Sequence, residues 1–331
     1  MKLTFFGGAK NVTGSNYLLE SGGKKILIDC GLNQGSSFCE NMNFEPFPYD
    51  PKEIEAVFIT HSHIDHIGRL PKLYKSGFKG KVYSTFPTKD FAEFLLLDSE
   101  HLLAEEAQKK NKPPIYSIED VNGLMEIWEG VRYHQVLKVG DFSVGFYDAG
   151  HILGSSFISI SAEGKKLIFS GDLGNVPAPL VKDTETVKEA DYVLVESAYG
   201  ARFHENVENR KDLLEDAIEE TVKAGGVLLI PAFAMERTQE LLYELNDLVE
   251  NGRIARIPVF IDSPLAIKIT SVYMKYSRNS EYFDKESIAS GGGDAIFNFP
   301  GLKMTLTTEQ SKEINAVPAP KIIIAGAGMS Q

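Results

Sequence analysis

The stretch Thr60-His61-Ser62-His63-Ile64-Asp65-His66 follows the apolar run Ala56-Val57-Phe58-Ile59 and leads into Gly68-Arg69-Leu70. Four side chains able to hold a metal, His61, His63, Asp65 and His66, thus fall together where an apolar strand gives way to a turn. Neutral imidazole and carboxylate are ligands that zinc and similar divalent ions accept, and a strand end is a rigid place from which to aim them. A polar surface turn is the competing reading. The chain has only seven histidines, however, and three are packed here. The stretch is read as a metal site.

Composition sets the frame around it. The chain has 331 residues, 43% hydrophobic and 24% charged, enough for one large core or two modest ones. No apolar run approaches the roughly 20 residues of a membrane helix, and no basic-then-apolar leader precedes Leu3-Thr4-Phe5-Phe6, so the expectation is a cytoplasmic chain with no membrane partner. Cys30 and Cys39 lack the CxxC spacing of a thiolate zinc site and read as buried or idle thiols. A net charge of −12 argues against a broad electrostatic grip on nucleic acid. It leaves room for a nucleic-acid enzyme, since bound cations are large local positive charges.

Outward from the cluster, the chain keeps delivering ligand types to strand ends. Leu3–Phe6, Ser15–Glu20 and Lys25–Asp29 read as short strands parted by glycine turns. Asp29 closes the third, either as an acid that orients a ligand histidine or as a turn residue. Arg69–Ser76 and Thr88–Lys110 have helical spacing, the second stopped by Pro113-Pro114. His101 and His134 lack ligand-type neighbours and read as structural. Val144–Asp148 runs through Ala149-Gly150 to His151, and Lys166–Phe169 runs through Ser170-Gly171 to Asp172. With His61, His63, Asp65 and His66 these make six ligands from three strand ends, close to what a two-metal site with a bridging carboxylate requires.

Beyond Asp191–Ser197, a further strand with Glu196 at its end, the pattern changes. Helix Lys211–Ala224, strand Gly226–Ile230, helix Met235–Val249 with Leu241, Leu242, Leu245 and Leu248 inward, and strand Pro258–Asp262 alternate as in a parallel α/β sheet. Gly291-Gly292-Gly293 reads as a flexible loop, and Lys321–Ala325 as a last strand.

The motifs together resemble the metallo-β-lactamase superfamily, through His61-Ser62-His63-Ile64-Asp65-His66, His151 and Asp172. The closer resemblance is to its β-CASP ribonucleases, the group of the cleavage and polyadenylation specificity factor nuclease and ribonuclease J. Phe5-Phe6-Gly7-Gly8-Ala9, Leu27-Ile28-Asp29-Cys30-Gly31, Gly68-Arg69-Leu70-Pro71 and Asp148-Ala149-Gly150-His151 carry it in the first half. Glu196-Ser197-Ala198-Tyr199-Gly200, Pro231-Ala232-Phe233-Ala234, Arg237-Thr238-Gln239-Glu240 and Asp262-Ser263-Pro264-Leu265-Ala266 carry it in the second.

The resemblance implies an α/β chain: a metallo-β-lactamase fold, an αββα sandwich incomplete at its C-terminal part, over residues 1–199, then a β-CASP domain over 200–331. It implies two divalent ions, most simply Zn2+, one on His61, His63 and His151 and the other on Asp65, His66 and the bridging Asp172. Asp29 would support a ligand. Asp65 would orient or accept a proton, and Glu196 would position a leaving-group histidine, with Val193 and Val195 supplying packing. Arg237 and Ser263 fall in stretches that face substrate. The implied activity is hydrolysis of single-stranded RNA by an activated water. The alternatives are a thioester or lactone hydrolase on the same fold and a non-catalytic RNA-binding subunit. Ser62, Ala198 and Ala201 depart from common family residues without removing a ligand. Relatives continue past Met329-Ser330 into further histidine motifs, so the expectation is a weak or empty second site, with His204 as a possible substitute, and a homo-oligomer or completing partner chain.

Overall fold

The computed structural model describes residues 1–201, 209–284 and 296–326, so the glycine tract and His204 lie outside the described residues. Two compact units emerge, Met1–Val176 with Asp183–Gly200, and Pro177–Lys182 with Ala201–Gln331.

The first unit is built on two sheets. Strands β1 (Lys2–Gly7), β2 (Asn16–Ser21), β3 (Lys24–Ile28), β4 (Ile54–Phe58), β5 (Lys81–Thr85) and β6 (Trp128–Val131) pair in that order. The first three are antiparallel and the rest parallel. Parallel neighbours need crossovers, and these are α1 (Ser37–Asn41), α2 (Ile64–Ile67), α3 (Leu70–Lys75), α4 (Phe86–Lys109) and α5 (Ile118–Glu126). Thr85 caps α4 by accepting the Thr88 amide, and Phe91, Leu95, Leu96 and Leu103 form its buried stripe. The helix ends before the expected proline stop, because Asn111 turns left-handed at φ 52°.

The second sheet runs β11-β10-β9-β8-β7, from β7 (Val136–Val139), β8 (Phe142–Asp148), β9 (Ser156–Ala162), β10 (Lys165–Phe169) and β11 (Tyr192–Leu194). It packs face to face on the first: Phe58 meets Phe146 at 6.2 Å and Tyr17 meets Phe169 at 5.8 Å between ring centroids. Leu19, Ile26, Leu27, Val57, Ile158 and Ile160 are fully sealed between and around them. Strand β11 is shorter than the sequence suggests, and Val193 and Val195 are 60% and 62% exposed. They therefore do not supply the packing expected of them, since among the described residues β11 lies at the edge of the sheet with β10 as its one neighbour.

The second unit holds a four-stranded parallel sheet in the order β12 (Val227–Ala232), β15 (Lys321–Gly326), β13 (Val259–Asp262), β14 (Leu302–Met304). Helices α6 (Arg210–Ala224), α7 (Arg237–Glu250), α8 (Pro264–Tyr276) and α9 (Thr308–Glu313) belong to it. Leu242, Leu245 and Leu248 are buried as expected. Leu241 is half-buried, because one residue along a helix turns about 100° away from the apolar stripe.

Phe146 is fully buried where the two sheets meet, so Phe146→Ala should lower the first unit's stability by about 3–5 kcal/mol. Urea unfolding followed by tryptophan fluorescence checks this, since Trp128 is the only tryptophan.

Candidate metal centre

The two sheets deliver their strand ends to one place. His61 follows β4, His63 is the residue before α2, and Asp65 and His66 lie within that short helix. His151 follows β8 and Asp172 follows β10. One donor atom from each of His61, His63, His151 and Asp172 lies within 4.8 Å of the other three. His63 Nδ1 stands 3.1 Å from His61 Nε2 and 3.2 Å from His151 Nε2. Three imidazole nitrogens aimed at one point cannot all be satisfied by sharing protons. A cation at that point satisfies all three lone pairs, so the donor set fits a metal.

Asp172 faces both ways. Its Oδ2 is 3.7 Å from His61 Nε2 and 3.8 Å from His151 Nε2, while Oδ1 is 3.3 Å from His66 Nε2. His66 Nε2 is also 3.9 Å from Asp65 Oδ2. The sequence-derived ligands thus form two facing groups with Asp172 between them.

Asp29 resolves the ambiguity left by its position. It lies one residue past β3, and the parallel register Ile28↔Phe58 sets it beside Thr60. Fully buried, it accepts the Thr60 amide on Oδ1, and the Thr60 hydroxyl and His66 Nδ1 on Oδ2, each at 2.8 Å. That last bond leaves Nε2 of His66 free to face Asp65 and Asp172. Thr60 is the residue that the sequence reading passed over. Its signal was its place directly before His61, opposite an acid at the end of the neighbouring strand.

The same residue type titrates in opposite directions here. Burial first, and then the neighbouring charge of His66, hold His61 well below its ordinary range; burial also lowers His63 and takes His151 down to about 3. Burial would lower His66 too, but the Asp29 charge and hydrogen bonds to Asp172 and Asp29 outweigh it and hold His66 well above the usual value. Burial works to raise Asp172, yet the imidazoles of His61, His66 and His151 keep its carboxyl below the usual range. Neutral imidazoles at His61, His63 and His151 and an ionised Asp172 are the protonation states a cation requires, whereas His66 must first give up a proton to become a ligand.

Backbone contacts fix the geometry. Gly171 at φ 55° turns β10 toward Asp172, and a Cβ there would meet Thr60 Cβ at 2.7 Å. Ser155, fully buried, accepts the His151 amide at 3.0 Å on its Oγ, and the Ser156 amide donates to Thr60 O at 2.8 Å, tying the His151 loop to the first sheet.

The remaining sequence candidates fall elsewhere. Glu196 accepts the Leu173 amide at 3.3 Å and the Ala198 amide at 3.1 Å, so its carboxylate braces the segment that follows Asp172. Arg237 and Ser263 belong to the second unit. There Arg237 pairs with Glu240 at 2.7 Å, and the Ser263 hydroxyl caps α8 by accepting the Ala266 amide at 3.3 Å. His101 is exposed on α4. His134, read as structural for want of ligand-type neighbours in the sequence, bonds Glu185 at 2.9 Å, a residue 51 positions away.

Comparison with known proteins identifies the family. A metallo-beta-lactamase superfamily domain model matches residues 18–187, and a Beta-Casp domain model matches residues 238–331. The chain belongs to the β-CASP family of the metallo-β-lactamase superfamily. It is 40% identical to a ribonuclease of Thermus thermophilus over 99% of this chain and 73% of the relative. It is 32% identical to cleavage and polyadenylation specificity factor 73 of Drosophila melanogaster over 82% of this chain, but spans only 39% of that longer protein. A protein of unknown function from Enterococcus faecalis V583 shares the fold, with a TM-score of 0.54 at 12% identity over 99% of this chain and 77% of the other.

In the metal-free protein, the raised value of His66 gives a stability term that is full below the unfolded value of about 6.5 and is lost as pH rises through the higher folded value. Asp29→Asn should bring the His66 titration, followed by NMR, back down and flatten that part of the stability-versus-pH curve.

Proposed function

We propose that this chain is a metal-dependent hydrolase that cleaves phosphodiester bonds of RNA. The observation that carries the metal reading is the convergence of His61, His63, His151 and Asp172 on one point. The RNA reading is supported by relatives named as a ribonuclease and as a cleavage and polyadenylation factor, matched together with the Beta-Casp domain.

Within this reading there are two ions, and zinc suits the imidazole-rich half. His61, His63 and His151 would hold the first, Asp65 and His66 would hold the second more weakly, and Asp172 would contribute to both. Bound divalent ions would supply the Lewis acidity that activates water near neutral pH and draws charge from a phosphate oxygen. The chain's own residues do the rest. Asp29 keeps the Nδ1 proton of His66, so Nε2 remains a lone-pair donor. Asp65, whose side chain is 20% exposed, is placed to accept a proton from water at its carboxylate. Glu196 acts by bracing the loop that carries Asp172. Arg237 and Ser263 serve as substrate contacts, with Arg237 giving up Glu240 to meet a phosphate.

Single-stranded RNA is the substrate in this account. A thioester or lactone hydrolase remains the second reading, favoured only by the ligand set shared across the superfamily.

Metal content by mass spectrometry, coupled to cleavage of an end-labelled single-stranded RNA with and without chelator, tests the proposal. Cleavage should stop with chelator and return with zinc, and His63→Ala should lose the first ion. Chelator-resistant cleavage, or full metal content in His63→Ala, would contradict it.

A further inference from the structure

Arg69 is 6% exposed and lies outside the ligand set, one residue before α3. Its Nε donates to the Gly31 carbonyl at 2.5 Å, its Nη2 reaches the Gly14 carbonyl at 3.5 Å, and its guanidinium sits 5.7 Å from the centroid of the Phe47 ring. Among the described residues no carboxylate pairs with it. A buried cation held by neutral acceptors is costly, so packing alone is a poor reason for it to be arginine.

The carbonyls it grips belong to segments that hold α2. Leu32 donates to Ile64 O at 2.9 Å, Ser15 to Asp65 O at 2.9 Å and Cys30 to His66 O at 2.8 Å. Successive carbonyls of the helix carrying Asp65 and His66 are thus each fixed by an amide from outside it. Gly31 also donates to Ser15 O at 2.8 Å, coupling the two segments. Gly31 abuts the ligand helix directly, for a Cβ there would lie 1.5 Å from Asp65 O. With that little clearance, any shift of Gly31 is transmitted to Asp65.

We propose that Arg69 is a positioning residue for the Asp65 and His66 half of the metal centre, acting by holding the Gly31 and Gly14 carbonyls so that the three amides stay aligned on α2. The planar guanidinium fork presents Nε and Nη2 to two carbonyls at fixed spacing, which an ammonium cannot reproduce. His61 and His151 reach the site from strand ends that Arg69 does not touch, while His63, the residue before α2, is the one first-ion ligand tied to that helix. The effect should therefore fall mainly on the second ion, and the proposal rests on the two-ion reading but not on RNA as substrate.

The test is titration of metal-free protein with zinc against a chromophoric chelator, repeated with cobalt to read the electronic spectrum of each site, and melting of the metal-free forms. Arg69→Met should weaken the second ion by about 10–100-fold, weaken the first by much less and alter chiefly the cobalt spectrum of the second site. Arg69→Lys should not restore it. Lys72→Met serves as the control: Lys72 is also buried beside the Phe47 ring but bonds the Asn43 and Glu45 carbonyls, and its loss should leave both affinities in place. Wild-type affinities in Arg69→Met, full rescue by Arg69→Lys, or equal loss at both sites with a lowered melting temperature would each overturn the proposal. A wild-type chain that takes up one ion only would overturn the two-ion reading, and this proposal with it.

Discussion

The carboxylate of Asp29 is sealed from solvent, and a buried charge persists only where donors surround it. Thr60 supplies two donors and His66 a third, and each joins the end of β3 to the segment after β4. Much of the centre depends on that junction. The backbone at Asp29 is left-handed at φ 55°, unusual for a residue other than glycine, and its carbonyl is held by Asn16 Nδ2 at 2.8 Å. A local conformation that is costly alone is kept because the contacts around it over-determine it.

From this junction the histidines divide in behaviour. Among the described residues no acid is bonded to the far nitrogen of buried His61 or of half-buried His63 and His151, so desolvation wins and they stay neutral. His66 is as deeply buried, but the Asp29 charge outweighs desolvation and strengthens its basicity. The two halves of the centre are therefore unequal before any ion arrives. The first is a set of neutral imidazoles; the second pairs an imidazole made basic by its partner with two carboxylates. Zinc favours the former type of set, and harder divalent ions tolerate the latter.

The candidate ligands could be read from the sequence because the segments that carry them follow short apolar strands, and a strand end needs few residues to declare itself. The parallel sheet of the second unit followed from the strand-helix alternation, and the two-sheet architecture of the first unit from the family motifs. What was not legible came from distant pairing. Thr60 gains its role only once β3 and β4 are in register, Arg69 only once the turns at Gly14 and Gly31 close over α2, and Glu185 meets His134 across the fold. The edge position of β11, which exposes Val193 and Val195, is likewise a property of sheet order. An apolar strand in sequence does not reveal whether it has one neighbour or two.

The central claim is that three strand ends from two sheets present a pair of ion sites joined by Asp172. Crystals of the chain equilibrated with zinc, measured on both sides of the zinc absorption edge, test it most directly. The account predicts two anomalous peaks about 3.5–4 Å apart, one among His61, His63 and His151 and a weaker one beside Asp65 and His66, with Asp172 between them. A single peak remote from Asp172, or none at full zinc, would contradict it.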